Sequence, residues 1–242
     1  MKLALVTGAS RGIGKAIAEK LAGAGYALVL TCSNSGNELE IFCKEIMEKY
    51  EVTCKGFLAD VSDFTTMADV FADAIFAEND LEVLVNNAGV SYVGLLHEMS
   101  PEEWNRVMGI NSTGVFNTSK LAIPHMLKNH KGSIVNISSV WGNVGASTEV
   151  AYSASKGAVN SFTKALAKEL APSGIAVNAI ACGLIDTQMN ACFSADDLAA
   201  VVEEIPADRI GKPEEVADLA MKVIESPSYL TGQIITIDGG WT

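Results

Sequence analysis

The 242-residue chain reads as an α/β protein, a single doubly wound parallel sheet of about seven strands with helices on both faces. Three observations carry that reading. Short apolar runs recur along the whole chain, each followed by a helix-length amphipathic stretch, which is the rhythm of right-handed β-α-β crossovers. The runs do not alternate with polar residues (Val83-Leu84-Val85 is one), the pattern of strands buried on both faces in a parallel sheet. Apolar residues make up 49% and charged residues 19%, enough to bury a large core.

The run over 3–7 breaks at once into glycines and Arg11, with no long apolar region or cleavage site, so it is a first strand and not a signal peptide. A helix over 12–24 opens on those glycines, followed by strand 27–31, helix 36–50, strand 53–58, helix 63–78 and strand 83–86. Ser100-Pro101-Glu102-Glu103 announces the long helix over 101–129 with an N-cap, a first-turn proline and a capping-box glutamate. Strand 133–137, helix 151–172 and strand 176–179 come next, and Lys212-Pro213-Glu214-Glu215 starts a helix over 213–225 before strand 233–237. No linker or low-complexity tract divides the chain, so residues 1–242 read as one domain. One stretch departs from the rhythm. Residues 182–211 form a long insertion after a strand end, with one short helical pattern at 195–204. That edge of an open α/β sheet binds ligands, so the insertion reads as a substrate lid; the alternative is a loop packed on a neighbouring subunit.

Composition excludes several functions. With a net charge of −12, a pI near 4.7 and three scattered arginines (Arg11, Arg106, Arg209), the chain offers no surface for nucleic acid. Mean hydropathy is +0.25, yet no apolar run approaches the roughly 20 residues of a membrane span. The five cysteines (Cys32, Cys43, Cys54, Cys182, Cys192) are scattered, as expected for reduced thiols in the cytoplasm. The histidines (His97, His125, His130) lack ligand spacing, so no metal is expected.

Thr7-Gly8-Ala9-Ser10-Arg11-Gly12-Ile13-Gly14 follows the first strand directly. Glycines there permit a tight turn and let backbone N–H groups approach a pyrophosphate at the positive end of a helix. A plain tight turn is the alternative. Tyr152-Ser-Ala-Ser-Lys156 puts a phenol and an ammonium on one helix face, where the cation is expected to lower the phenol pKa and make it a better proton exchanger. The bland alternative is an exposed lysine beside a half-buried tyrosine. Asn86-Asn87-Ala88-Gly89 ends the fourth strand, Asn111 sits in a helical segment where Asn is a poor residue, and Ser138-Ser139 ends the fifth strand. Singly, each is more often a turn residue.

In order and spacing, Thr-Gly-x-x-x-Gly-x-Gly, Asn-Asn-Ala-Gly, an Asn, a Ser and Tyr-x-x-x-Lys resemble the short-chain dehydrogenase/reductase family, and within it the 3-oxoacyl-[acyl-carrier-protein] reductases. The resemblance runs from Leu3 to Gly240, nearly the whole chain. It implies a Rossmann-type sheet binding NADP(H) through Gly8, Ser10, Arg11, Gly12, Ile13, Gly14 and Ser33, with Asp60 and Val61 at the adenine. Asn87, Ala88, Gly89, Ile185, Thr187, Tyr152 and Lys156 complete the implied cofactor set. By the same resemblance Tyr152 is the general acid, Lys156 holds the nicotinamide ribose and tunes Tyr152, and Ser139 stabilises the oxyanion. Asn111 holds a relay water. The implied reaction reduces a 3-oxoacyl thioester in fatty acid synthesis; a free ketone, sugar or hydroxysteroid is the second reading, and a non-catalytic dinucleotide-binding protein the third.

Two departures bear on this. The family usually has Pro-Gly after the sixth strand, and here the pair is Cys182-Gly183, which reads as a small buried hydrophobe or an oxidisable thiol. An acidic carrier protein needs cations beside the cleft. Lys128, His130 and Lys131 are the candidates, while Ser173 stands where related reductases often carry a basic residue. The resemblance also implies a homotetramer, with small residues Ala154, Ala158 and Ala165 allowing close helix approach. NADP(H) is expected over NAD(H), because Cys32, with Thr31, Ser33 and Asn34, stands where NAD-preferring members carry an acid. Arg11 is placed to meet a 2′-phosphate.

Overall fold

Leu3, Leu5, Leu28, Leu30 and Leu84 lose all contact with solvent, and the strands that carry them lie side by side in one sheet. The structure is a computed structural model that describes residues 1–191 and 193–242; Cys192 lies outside the described residues. The strands are β1 (Lys2–Thr7), β2 (Ala27–Cys32), β3 (Cys54–Leu58), β4 (Asp80–Asn86), β5 (Gly132–Ser139), β6 (Ile175–Cys182) and β7 (Ile234–Ile237). Their order is β3-β2-β1-β4-β5-β6-β7, and every pairing is parallel. The helices are α1 (Gly12–Gly23), α2 (Gly36–Tyr50), α3 (Phe64–Phe71), α4 (Ile75–Glu78), α5 (Pro101–Met108), α6 (Gly114–Leu127), α7 (Trp141–Val144), α8 (Val150–Leu170), α9 (Ala195–Glu204) and α10 (Pro213–Glu225).

Alternate strand residues feed two apolar layers. Ala4 and Val6 point into the layer built with α1, α2 and α10, while Leu3 and Leu5 point into the layer with α3, α6 and α8. Burying a Leu or Val side chain is worth roughly 1.5–3 kcal/mol, so two filled faces explain why the strands carry no polar alternation. The strand order reverses at β1, whose neighbours are β2 and β4. The crevice at such a reversal, beyond the carboxyl ends of the strands, is where doubly wound sheets bind ligands.

The expected helix over 63–78 is two helices. Asp63 caps α3 by accepting from the Thr65 and Thr66 N–H groups, and Asp73 starts α4 by accepting from the Ile75 N–H at 3.1 Å. The expected helix over 101–129 begins with the capping box at Ser100 and Glu103, then widens into a π turn over Gly109–Thr113 before α6. α7 was not expected, and β5 and β6 run on to Ser139 and Cys182. No helix among the described residues is long and apolar enough to cross a membrane.

Candidate active site

The glycine loop is held open by its neighbours. The Thr7 hydroxyl accepts from the Asn87 and Ala88 N–H groups, both at 3.0 Å, and the Asn87 side-chain amide donates to the Thr7 and Gly8 carbonyls at 2.9 and 3.0 Å. Gly8 (φ +63°) and Gly12 (φ +56°) adopt the left-handed conformation. A Cβ on Gly8 would stand 2.9 Å from the Ala88 Cα, and one on Gly14 would fall on the Asn87 amide. Asn87 therefore braces the loop. Arg11 is the N-cap of α1, makes no side-chain cap bond, and is followed by no acid in the first turn. That leaves backbone donors and a positive helix end unneutralised, the donor set a pyrophosphate takes. A dinucleotide fits this cradle.

Around the far end of that groove, Cys32 is buried, Ser33 and Asn34 are exposed, and the Asn34 and Ser35 N–H groups point at the Cys32 sulfur. Burial holds the Cys32 thiol above its ordinary pKa. Arg11 lines a cleft of about 320 Å³ with Ser10, Lys15, Ser35 and Glu38. Lys15 is a second cation there, one helical turn beyond Arg11, and Glu38 is an acid on the same cleft. Asp60 accepts from the Ser62 N–H and hydroxyl at 2.8 and 2.7 Å, while the Val61 carbonyl is fixed by the Asn117 amide at 2.9 Å. Across the groove, Ile185 is buried and Thr187 reaches over Gly12, where a Cβ would meet the Thr187 methyl at 3.3 Å.

Ser139, Tyr152 and Lys156 come together at the carboxyl edge of β5. The last two serines of β5 face opposite ways. The Ser138 hydroxyl donates to Asn160 at 2.6 Å inside the α8 contact, whereas Ser139 hydrogen-bonds the Tyr152 phenol. Lys156 follows Tyr152 by one turn of α8, its ammonium 5.6 Å from the Tyr152 ring centroid and donating to the Ile137 carbonyl at 2.8 Å. Gly89 lies against both side chains: a Cβ there would be in ordinary contact, 3.5 Å from Lys156 Nζ and 3.4 Å from Asn111 Oδ1. Asn111, in the π turn, ties the loop after β4 to α8. Its amide donates to the Val90 carbonyl and the Ser155 hydroxyl at 2.9 Å each, and its oxygen accepts from the Val90 N–H at 2.9 Å. Ser155 in turn donates to the Tyr152 carbonyl at 2.7 Å.

The electrostatics correct one expectation. The Tyr152 phenol is raised, not lowered, because burial opposes the phenolate more than Ser139 favours it, with Cys182 and Glu149 adding to the rise. The same burial lowers the Lys156 ammonium to about 8 and pushes the Cys182 thiol up to about 12. Cys182 is buried in the apolar layer and its raised pKa keeps it a protonated thiol at neutral pH, which favours its reading as a small buried hydrophobe. A second correction concerns Lys128, His130 and Lys131. They precede β5 at its amino end, opposite Ser139, and Lys131 is paired with Glu82 at 2.9 Å. They cannot serve a partner docked at the cleft.

Fold and site define an oxidoreductase built to work with a nicotinamide dinucleotide. A family model for short chain dehydrogenases matches residues 2–198, and the chain belongs to that family. It is 39% identical over 241 residues to an uncharacterized oxidoreductase of Bacillus subtilis, covering 99% of this chain and 98% of that one. A 3-oxoacyl-[acyl-carrier-protein] reductase of Aquifex aeolicus is 40% identical over 240 residues, covering 99% and 96%. The crystal structure of a 3-oxoacyl-[acyl-carrier protein] reductase from Brucella melitensis superimposes with a TM-score of 0.91 at 35% identity, covering 100% of this chain and 91% of that one.

Proposed function

We propose that the chain is a cytoplasmic, NADPH-dependent reductase that converts a 3-oxoacyl thioester to the 3-hydroxyacyl product in fatty acid synthesis. The observation that carries this is the convergence of Ser139, Tyr152 and Lys156 beside the open end of α1. When bound, NADPH supplies the hydride to the carbonyl carbon. Ser139 donates a hydrogen bond to the carbonyl oxygen and stabilises its developing charge. Tyr152, whose raised pKa keeps it protonated at neutral pH, transfers its proton to that oxygen. Lys156 stabilises the phenolate left behind, and a water on Asn111 returns a proton to Tyr152 from solvent. Residues 182–211 act as the lid within a single domain, with Ile185 and Thr187 at its base against the cofactor. The 40% identity to a named 3-oxoacyl reductase supports the thioester.

One observation favours a free ketone instead. α9 carries four acids and no base (Asp196, Asp197, Glu203, Glu204), and the basic cluster lies at the wrong edge for an acidic carrier. Comparing kcat/KM for acetoacetyl thioesters, carrier-linked and free, with a panel of free ketones decides between them. A preference of about tenfold or more, roughly 1.4 kcal/mol, for the thioesters is expected; a ketone that wins by the same margin replaces the reading.

The 2′-phosphate of NADPH is read by Arg11, Lys15 and Ser10 in that cleft, with the exposed Ser33 beside it; no acid stands at Cys32, and the two cations offset Glu38 and Glu45 on the far wall. kcat/KM should favour NADPH over NADH by more than about tenfold. Cys32→Asp should shift the ratio toward NADH, because its carboxylate would accept the Asn34 and Ser35 N–H groups and the ribose hydroxyl. An unchanged ratio means that the 2′ position lies elsewhere. The reading includes a homotetramer. Ala154, Ala158 and Ala165 form an exposed small-residue face on α8, and Phe116 and Leu127 are 45% and 37% exposed on α6. Sedimentation at micromolar concentration should give four times the 25.5 kDa chain, and a stable monomer refutes the assembly.

A further inference from the structure

Trp141, Glu204 and Trp241 take no part in the proton chemistry above, yet with Glu149 they form a continuous chain of contacts from α9 to the start of α8. Trp241 donates from its indole to the Glu204 carboxylate at 3.3 Å, at the last residue of α9. The Trp241 and Trp141 rings meet edge-to-face, with centroids 4.7 Å apart and planes at 63°. Trp141 hydrogen-bonds Glu149, the N-cap of α8, three residues before Tyr152. The Trp141 backbone N–H donates to the Ser139 hydroxyl at 3.2 Å. Both indoles are thus pinned by carboxylates at their polar edges, which leaves ring surface as an apolar wall next to Ser139. The tail that carries Trp241 is itself anchored. Asp238 accepts from the Gly240 and Thr242 N–H groups at 2.9 Å each, and the Gly239 carbonyl accepts from the Ala207 N–H at 3.1 Å, on the limb leaving α9.

We infer that Trp241 is a positioning residue, which with Trp141 walls the cleft beside Ser139 and holds α9 over it so that a bound carbonyl stays against Tyr152. The inference rests on the reductase and lid readings for its kinetic consequence, but not for the contact itself. An edge-to-face pair fixes the approach of two elements without drawing on their backbones, and small losses of substrate registration are expensive in catalysis. Trp241 lies next to the last residue and is only half-buried, so its replacement leaves the sheet and both apolar layers intact.

Trp241→Ala and Trp241→Phe, each saturated with NADPH, test it. The substrate is acetoacetyl-CoA, or the free ketone that wild type reduces if it reduces only a ketone. Trp241→Ala should raise KM by about tenfold or more, with the NADPH dissociation constant and the unfolding midpoint of the cofactor-free protein unchanged, and Trp241→Phe should restore most of the KM. An unchanged KM overturns the inference. So does a parallel loss of substrate binding, cofactor binding and thermal stability, the mark of a merely structural tail. In a second arm, a glutamate-specific protease should cut at Glu203 and Glu204 faster in Trp241→Ala than in wild type, and an equal rate overturns the hold on α9. If wild type reduces none of the compounds, the proposed function falls on its own and the cleavage arm alone decides the role of Trp241.

Discussion

Tyr152→Phe is expected to lower kcat by about 10²- to 10⁴-fold, the range that general acid catalysis contributes, while the dissociation constant for NADPH stays within about twofold of wild type. The substitution deletes the proposed proton donor and keeps the ring that packs beside Lys156. Stopped-flow turnover together with cofactor titration by fluorescence separates the two effects. Retention of more than about a tenth of kcat would assign the proton to another group. Ser139 is hydrogen-bonded to that phenol but cannot replace it, since its hydroxyl is a far weaker acid.

Lys156→Ala should lose turnover and cofactor affinity together, each by at least about tenfold, because in the proposed mechanism one ammonium serves the ribose and the phenol. Loss of only one of them separates the roles. The pH dependence follows from the same group. Burial lowers Lys156 to about 8, so the ammonium is complete below that pH and is lost as pH rises through it. Tyr152 is raised, so it keeps its proton through the same interval. The alkaline limb of kcat/KM for reduction should therefore fall near pH 8 in the wild type. In the residual activity of Lys156→Ala that limb should be absent. A limb at the same pH in both proteins would assign the titration to another group.

Much of the fold was legible because it rests on patterns that survive without tertiary detail. Two-faced burial makes Leu28 to Leu30 and Val83 to Val85 apolar throughout, and the parallel sheet follows. The grouping of Ser139, Tyr152 and Lys156 was legible by resemblance, and the strand pleat explains the choice within Ser138-Ser139, since adjacent residues face opposite sides. The π turn was not legible. Its amide bonds run from Asn111 to Val90 and Ser155, partners 21 and 44 residues away, and no local pattern announces them. Nor was the direction of the Tyr152 shift, because spacing shows the nearby ammonium but not the desolvation that outweighs it. The basic cluster before β5 looked useful in sequence, and only the direction of the strand puts it at the opposite edge from Ser139. Lys15 could have been found, since it lies one helical turn from Arg11 on the same face of α1. Trp241 could not, because its partners Trp141 and Glu204 come from separate elements.

The most direct measurement follows the hydride itself. Wild-type enzyme is given NADPH carrying deuterium on the transferable position of nicotinamide C4 and acetoacetyl-CoA, and the product is analysed by mass spectrometry. The account predicts a 3-hydroxybutyryl thioester with deuterium on the C3 carbon, formed one-for-one with the NADPH consumed, and Tyr152→Phe should form it at a rate lower by about 10² or more. Consumption of NADPH without label at C3, or cofactor binding with no turnover of any thioester, contradicts it.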